Sequence, residues 1–113
     1  MSLTRGAIWL ADLSPTRGHE QAGRRPVLLV SPESFNRGPS TLVIICPLTT
    51  TERGIRTHIK VLPTEGGLKE ISFVMTEAVR SISKDRLVKH WGNLTHQTMN
   101  QVSDVLKILM DLR

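Results

Sequence analysis

Tyrosine is absent from this 113-residue chain, and phenylalanine and tryptophan contribute two residues each. So small an aromatic set supplies poorly the stacking platform that RNA-binding sheets lay beneath splayed bases. Cysteine occurs once, as Cys46 within LVIICPL, so no intrachain disulfide can form. A buried small hydrophobe is its expected role. One cysteine and four scattered histidines give no zinc-binding spacing, and no cofactor or metal is expected. No apolar stretch approaches the ~20 residues of a membrane helix. The opening MSLTRGAIWL has only a short apolar run and no small-residue cleavage site, so no signal peptide is expected and the cytoplasm is the default compartment. The P-loop pattern and the G-x-S-x-G nucleophile elbow are both missing, which sets aside two large enzyme classes.

What the chain does have is length for one domain, residues 1–113, and an excess of positive charge. Fifteen Lys and Arg face ten Asp and Glu, for a net charge of +5. Arginine outnumbers lysine ten to five, and residues 1–60 hold eight basic residues against four acidic ones. Arginine suits planar, bidentate contact with phosphate or carboxylate, so nucleic acid or an acidic peptide is the expected partner.

Strand signals dominate the pattern. GAIWLADL (6–13), PVLLVS (26–31) and TLVIICPLT (41–49) are apolar runs bounded by Gly, Pro, Ser and Asn. The second and third are apolar on both alternating faces, as strands covered on both sides are. HIKVLP (58–63) alternates, with Ile59 and Val61 on one side and Lys60 on the other. ISFVMTEAV (71–79) and RLVKHWG (86–92) are further expected strands. Pro47 removes a ladder donor, which predicts an edge or a bulge there. SPESFN (31–36) suggests a short helical turn after Pro32. From Thr95 to Leu112, Met99, Val102, Leu106 and Leu109 recur at helical spacing, flanked by Val105 and Leu112. Thr95 is the expected N-cap, and Leu94 with Met99 fits a hydrophobic staple. Short strands and one closing helix predict a barrel-like, mainly β fold of the α+β kind.

Two polar clusters stand out. RGHEQAGRRP (17–26) sets His19, Glu20, Gln21 and Ala22 between Gly18 and Gly23, and Arg24 and Arg25 then lead into a strand. Pro26 biases Arg25 toward extended backbone. An arginine at the rim of a rigid strand beside a polar loop suits neutralisation of charge growing on a phosphate. The same residue types also suit a plain solvated hairpin loop. PLTTTERGIR (47–56) ends a strand in three threonines, followed by Arg53 and Arg56 around Gly54. A hydroxyl there can donate to phosphate, although threonine is also simply a good strand former. Asn36, Arg37, Glu77 and Arg80 complete the polar candidates.

The run RGAIWLADLSPTRGHEQAGRRPVLLVSPESFN closely resembles the N-terminal signature of the MazF/PemK (Kid) toxins of bacterial type II toxin–antitoxin pairs. ICPLT, THIKVLP and AVRSISKDRLVKHWGNL extend the resemblance along nearly the whole chain. It implies an SH3-like (PemK/CcdB-type) β-barrel with a C-terminal α-helix. It implies a homodimeric, ribosome-independent endoribonuclease that cuts single-stranded mRNA at short sequences. The cognate antitoxin, MazE/PemI-like, would be acidic and partly disordered, and operator DNA would be met only through it. No membrane is involved.

By the same resemblance Arg25 and Thr49 are the catalytic pair, with Glu20 and His19 as further active-site positions. The implied chemistry is metal-free: the RNA 2′-OH attacks its own phosphate, giving a 2′,3′-cyclic phosphate and a 5′-OH end. A guanidinium holds its proton too tightly to act as a base, which argues against Arg25 in that role and leaves Glu20 or His19. Arg17, Arg24, Arg37, Arg53, Arg56 and Arg80 are the expected phosphate contacts, with Gln21, Asn36 and Glu77 as further RNA contacts. TEAVRS (76–81) departs from the family pattern: Ala78 replaces a glutamine, and Met75 stands where the PemK/Kid branch has an arginine. Two rivals remain at this point. One is a CcdB-like gyrase poison that acts by protein contact. The other is an inactive paralogue that serves as an antitoxin- or DNA-binding module.

Overall fold

The computed structural model describes residues 2–14 and 23–113. Within them the order is β1 (Ala7–Asp12), β2 (Arg24–Leu29), α1 (Glu33–Asn36), β3 (Leu42–Thr49), β4 (His58–Val61), β5 (Ser72–Met75), β6 (Arg80–Ser83), β7 (Leu87–Asn93) and α2 (His96–Leu109). The strands pair antiparallel along the path β4-β5-β3-β2-β1-β7, and β6 joins the first half of β3. This is the expected mainly β architecture with a closing helix. Among the described residues the ladder stays open between β4 and β7, so the fold is barrel-like without full closure.

Alternation divides the apolar side chains between two cores. Ile8, Leu28, Cys46, Leu48, Ile59, Val61 and Val74 meet Leu94 and Val102, with Met99, Val105 and Leu106 packed alongside. Ala7, Trp9, Ala11, Val27, Leu29, Val43, Ile45 and Ile82 turn the other way into a second cluster. Strands β1 to β3 therefore bury both faces, which is why their sequences read as nearly continuous apolar runs. Each fully buried Leu or Ile here contributes about 1.5–3 kcal/mol relative to exposure.

Helix α2 starts where its sequence signals start. Thr95 Oγ1 accepts from the Thr98 N–H at 3.2 Å, and Glu65 Oε2 accepts from the Thr95 N–H at 3.0 Å. The staple residues Leu94 and Met99 join the same cluster. The far end differs from expectation. Leu109 is 41% exposed and Leu112 61%, so the apolar stripe overhangs the core beyond Leu106.

Three strand expectations need correction. Strand β3 is central, not an edge, with β2 along one side and β6 and then β5 along the other. Pro47 is tolerated because it falls between the stretch paired to β6, ending at Ile45, and the stretch paired to β5, starting at Leu48. The expected strand 71–79 stops at Met75, where the chain enters a 3-10 turn over Thr76–Ala78. Residues Arg80–Ser83 then form β6, which had no sequence signal because Ile82 is its single apolar side chain.

Candidate active site

Strand β2 begins two residues earlier than its apolar run, so Arg24 and Arg25 belong to the ladder. Arg25 pairs with Ala11 of β1 and is half-buried. On its other side the β2–β3 register runs Leu29–Ile45, Leu28–Cys46, Val27–Pro47. Continued two residues further, it sets Arg25 opposite Thr49, the last residue of β3. Directly opposed residues of an antiparallel pair share a face, with Cβ atoms about 4.5–5.5 Å apart. The two line one cleft of about 240 Å³, together with Gly23, Arg24, Thr50 and Ser72. Thr49 Oγ1 accepts from the Thr51 N–H at 3.2 Å, which orients the hydroxyl at the strand's end.

The rim of the cleft is tied down. The Leu13 N–H donates to the Gly23 carbonyl at 2.9 Å, and the Gly23 N–H donates to Ser14 Oγ at 2.9 Å. Arg86 reaches across from the turn before β7 and donates from Nη1 to the carbonyls of Asp12 at 3.1 Å and Ser14 at 2.8 Å. Arg17, His19, Glu20 and Gln21 lie outside the described residues.

The remaining candidates separate by position. Arg53 and Arg56 are exposed on the connection that leaves directly from Thr49, around Gly54 with φ +64°. Glu77 sits on the 3-10 turn after β5, where Thr57 Oγ1 donates to Oε1 at 2.8 Å and His58 Nε2 lies 2.8 Å from Oε2. Burial pushes the Glu77 carboxyl up. The hydrogen bonds from Thr57, His58 and its own backbone N–H, with the charge of His58, outweigh that and hold it below its ordinary value. Arg80 is half-buried on β6 opposite Ile45, four residues back along β3 from Thr49. Arg37 pairs with Glu33 at 2.6 Å after α1, beyond the opposite end of β2 from Arg25.

Asn36 is a correction. It is fully buried, not a surface contact. Its Nδ2 donates to the Leu3 carbonyl at 2.7 Å and to the Ser31 carbonyl at 3.0 Å, while Oδ1 accepts from Ser31 Oγ. An amide so fully engaged has no donor to offer an RNA. Cys46 is buried as expected, and burial, with the nearby Glu77 charge, pushes its thiol up to about 12. It stays protonated and inert as a nucleophile.

Sequence reasoning missed Ser72, His58 and Arg86. Ser72 and His58 had read simply as strand residues, and Arg86 as the start of the last strand. A roomier hollow of about 500 Å³ at Thr41, Ser83, Lys84 and Asp85 lies beside the other end of β3. That hollow has the hydroxyls of Thr41 and Ser83 but no guanidinium, which the smaller cleft sets beside its hydroxyl.

Comparison with known proteins gives the family and the fold. Residues 4–110 match the family model described as PemK-like, MazF-like toxin of type II toxin-antitoxin system. Endoribonuclease EndoA of Bacillus subtilis is 32% identical over 113 residues, covering 99% of this chain and 97% of that protein. The crystal structure of MazF from Deinococcus radiodurans superposes with a TM-score of 0.80 at 28% identity, covering 96% of each chain. A mycobacterial endoribonuclease in complex with its cognate antitoxin gives a TM-score of 0.78 at 25% identity, covering 100% of this chain and 98% of that one. The chain belongs to the PemK-like, MazF-like toxin family of type II toxin–antitoxin systems.

Proposed function

We propose that this toxin is a metal-independent endoribonuclease that cuts single-stranded RNA at the Arg25–Thr49 cleft. One observation carries the proposal: adjacent strands bring a half-buried guanidinium and a strand-end hydroxyl to one cleft. The curated relative named as an endoribonuclease supports it over nearly the full length.

In the proposed reaction the 2′-oxygen bonds to its own phosphorus as the bond to the 5′-oxygen breaks. The 2′-OH proton goes to Glu20 or His19, and the leaving 5′-oxygen takes a proton from solvent water, the resulting hydroxide being neutralised by the proton the base then releases. The products are a 2′,3′-cyclic phosphate and a 5′-OH. Arg25 stabilises the charge that grows on the nonbridging oxygens, and Thr49 orients the phosphate. Arg24, Arg53 and Arg56 extend the positive surface along the RNA, which makes binding salt-sensitive. The partner that silences the toxin is a cognate antitoxin whose acidic segment competes for this surface; that the mycobacterial relative forms a complex with its cognate antitoxin supports such a partner. The toxin itself pairs as a homodimer.

The test is the purified protein with a long single-stranded RNA in EDTA, followed by end-group analysis. Discrete cuts with cyclic-phosphate ends are expected, and Arg25→Ala should slow cleavage by ~10²–10³. Wild-type cleavage by that variant, or intact RNA beside stalled gyrase, would overturn the reading.

A further inference from the structure

The row that joins Arg25 to Thr49 does not stop at β3. Thr49 pairs with Phe73 of β5, and Phe73 pairs with Lys60 of β4. Four strands thus set Arg25, Thr49, Phe73 and Lys60 in one line across one face. Ile59 and Val61, on either side of Lys60, turn the opposite way into the core below α2, which leaves Lys60 exposed on the sheet face that carries Arg25 and Thr49, beyond the residues that line the cleft. Three inter-strand steps of about 4.8 Å separate the Arg25 and Lys60 backbones by about 14 Å. Phe73, only 7% exposed, occupies the row between Thr49 and Lys60. The ion pairs among the described residues, Arg37–Glu33 and His58–Glu77, do not involve Lys60.

We infer that Lys60 is a substrate-binding residue beside this cleft, taking a phosphate that neighbours the scissile one as RNA crosses the sheet from β2 to β4. The inference rests on the RNA-cleaving reading of the cleft. Arg25 faces the phosphate whose charge changes in the reaction, whereas Lys60 faces one whose charge does not. Its contact is equally strong in the ground state and the transition state, so it acts on KM and leaves kcat alone. An ammonium on a flexible stem reads charge without reading the base.

The test uses the full chain, a short RNA carrying one mapped cleavage site, and the variants Lys60→Ala and Lys60→Arg. Lys60→Ala should raise KM about threefold or more at unchanged kcat, and lower the slope of log KM against log salt by about 0.7. Lys60→Arg should keep both near wild type. A single methylphosphonate linkage stepped along the RNA should, at one position beside the cut, weaken the wild type and leave Lys60→Ala unaffected. A wild type that cuts while Lys60→Ala matches it in KM and salt slope overturns this inference alone. A fall in kcat at constant KM overturns it too. A wild type that neither binds nor cuts the RNA removes the cleft reading itself, and Lys60 falls with it.

Discussion

Arg86 Nη1 lies 2.8 Å from the carbonyl oxygen of Ser14, joining the turn before β7 to the end of β1 across 72 positions of chain. The same nitrogen also serves Asp12, whose strand neighbour across the ladder is Arg24. A fixed cation is thus used to hold the rim of the cleft. Truncating it, Arg86→Ala, should cost about 1–2 kcal/mol in urea denaturation, the worth of charged hydrogen bonds at a half-exposed site. It should lower kcat with KM for RNA held, because Arg25 loses alignment and not its charge. Steady-state cleavage beside a melting curve separates the two effects.

Asn36 offers a sharper discrimination. A side chain that contacts RNA and one that closes a buried network predict opposite results for Asn36→Ala. The structure favours the network, so stability should drop by about 2–3 kcal/mol as the Leu3 and Ser31 groups lose their partners. Cleavage per folded molecule should stay at the wild-type rate. Denaturation midpoints and active-site titration at low temperature give both numbers.

Acid should weaken the fold through Glu77 and Glu65. For Glu65 burial again pushes up, but hydrogen bonds from Thr98 and Thr95 prevail, and both carboxyls sit below their ordinary value of 4.5. The unfolded chain therefore takes up protons first on acidification. The stability the two groups contribute is whole above about pH 4.5 and is lost as pH falls through their lowered folded values. Urea midpoints between neutral pH and pH 3 should fall for the wild type and flatten in a Glu65→Gln, Glu77→Gln double variant.

Among the described glycines, Gly67 is the one least able to take a side chain. It has φ +76°, and a Cβ there would lie 2.3 Å from the Trp91 carbonyl oxygen on β7. Gly67→Ala must push the 65–67 turn off that strand, and a loss of at least about 2 kcal/mol is expected, read as a lower melting temperature.

Much of this fold is legible in the sequence because burial on two faces writes itself as unbroken apolar runs, as in β1 to β3, and α2 carries both its cap and its stripe. Strand β6 is illegible for the opposite reason. Four residues with one apolar side chain are strands only because β3 offers them a ladder. At Pro47 the local rule about missing donors located the break in the ladder, but it could not show that β3 is central and changes partner at that point. In the site, Arg25 and Thr49 are each visible as residue types, but their adjacency depends on the β2–β3 register. That register is set by the α1 connection and the core, not by either motif. Asn36 shows the reverse error, since a polar residue after a strand gives no hint of whether it faces water or a ring of carbonyls.

Among the described residues β3 is the strand that touches three others, and it ends in the hydroxyl assigned to the chemistry. The position proposed to orient the phosphate therefore hangs from the hub of the sheet, while Arg53 and Arg56 sit on a connection with no ladder to keep. On the proposed reading, the strength of RNA binding can drift by edits to that connection at little risk to assembly. The cutting step cannot drift in the same way without taking the architecture along with it.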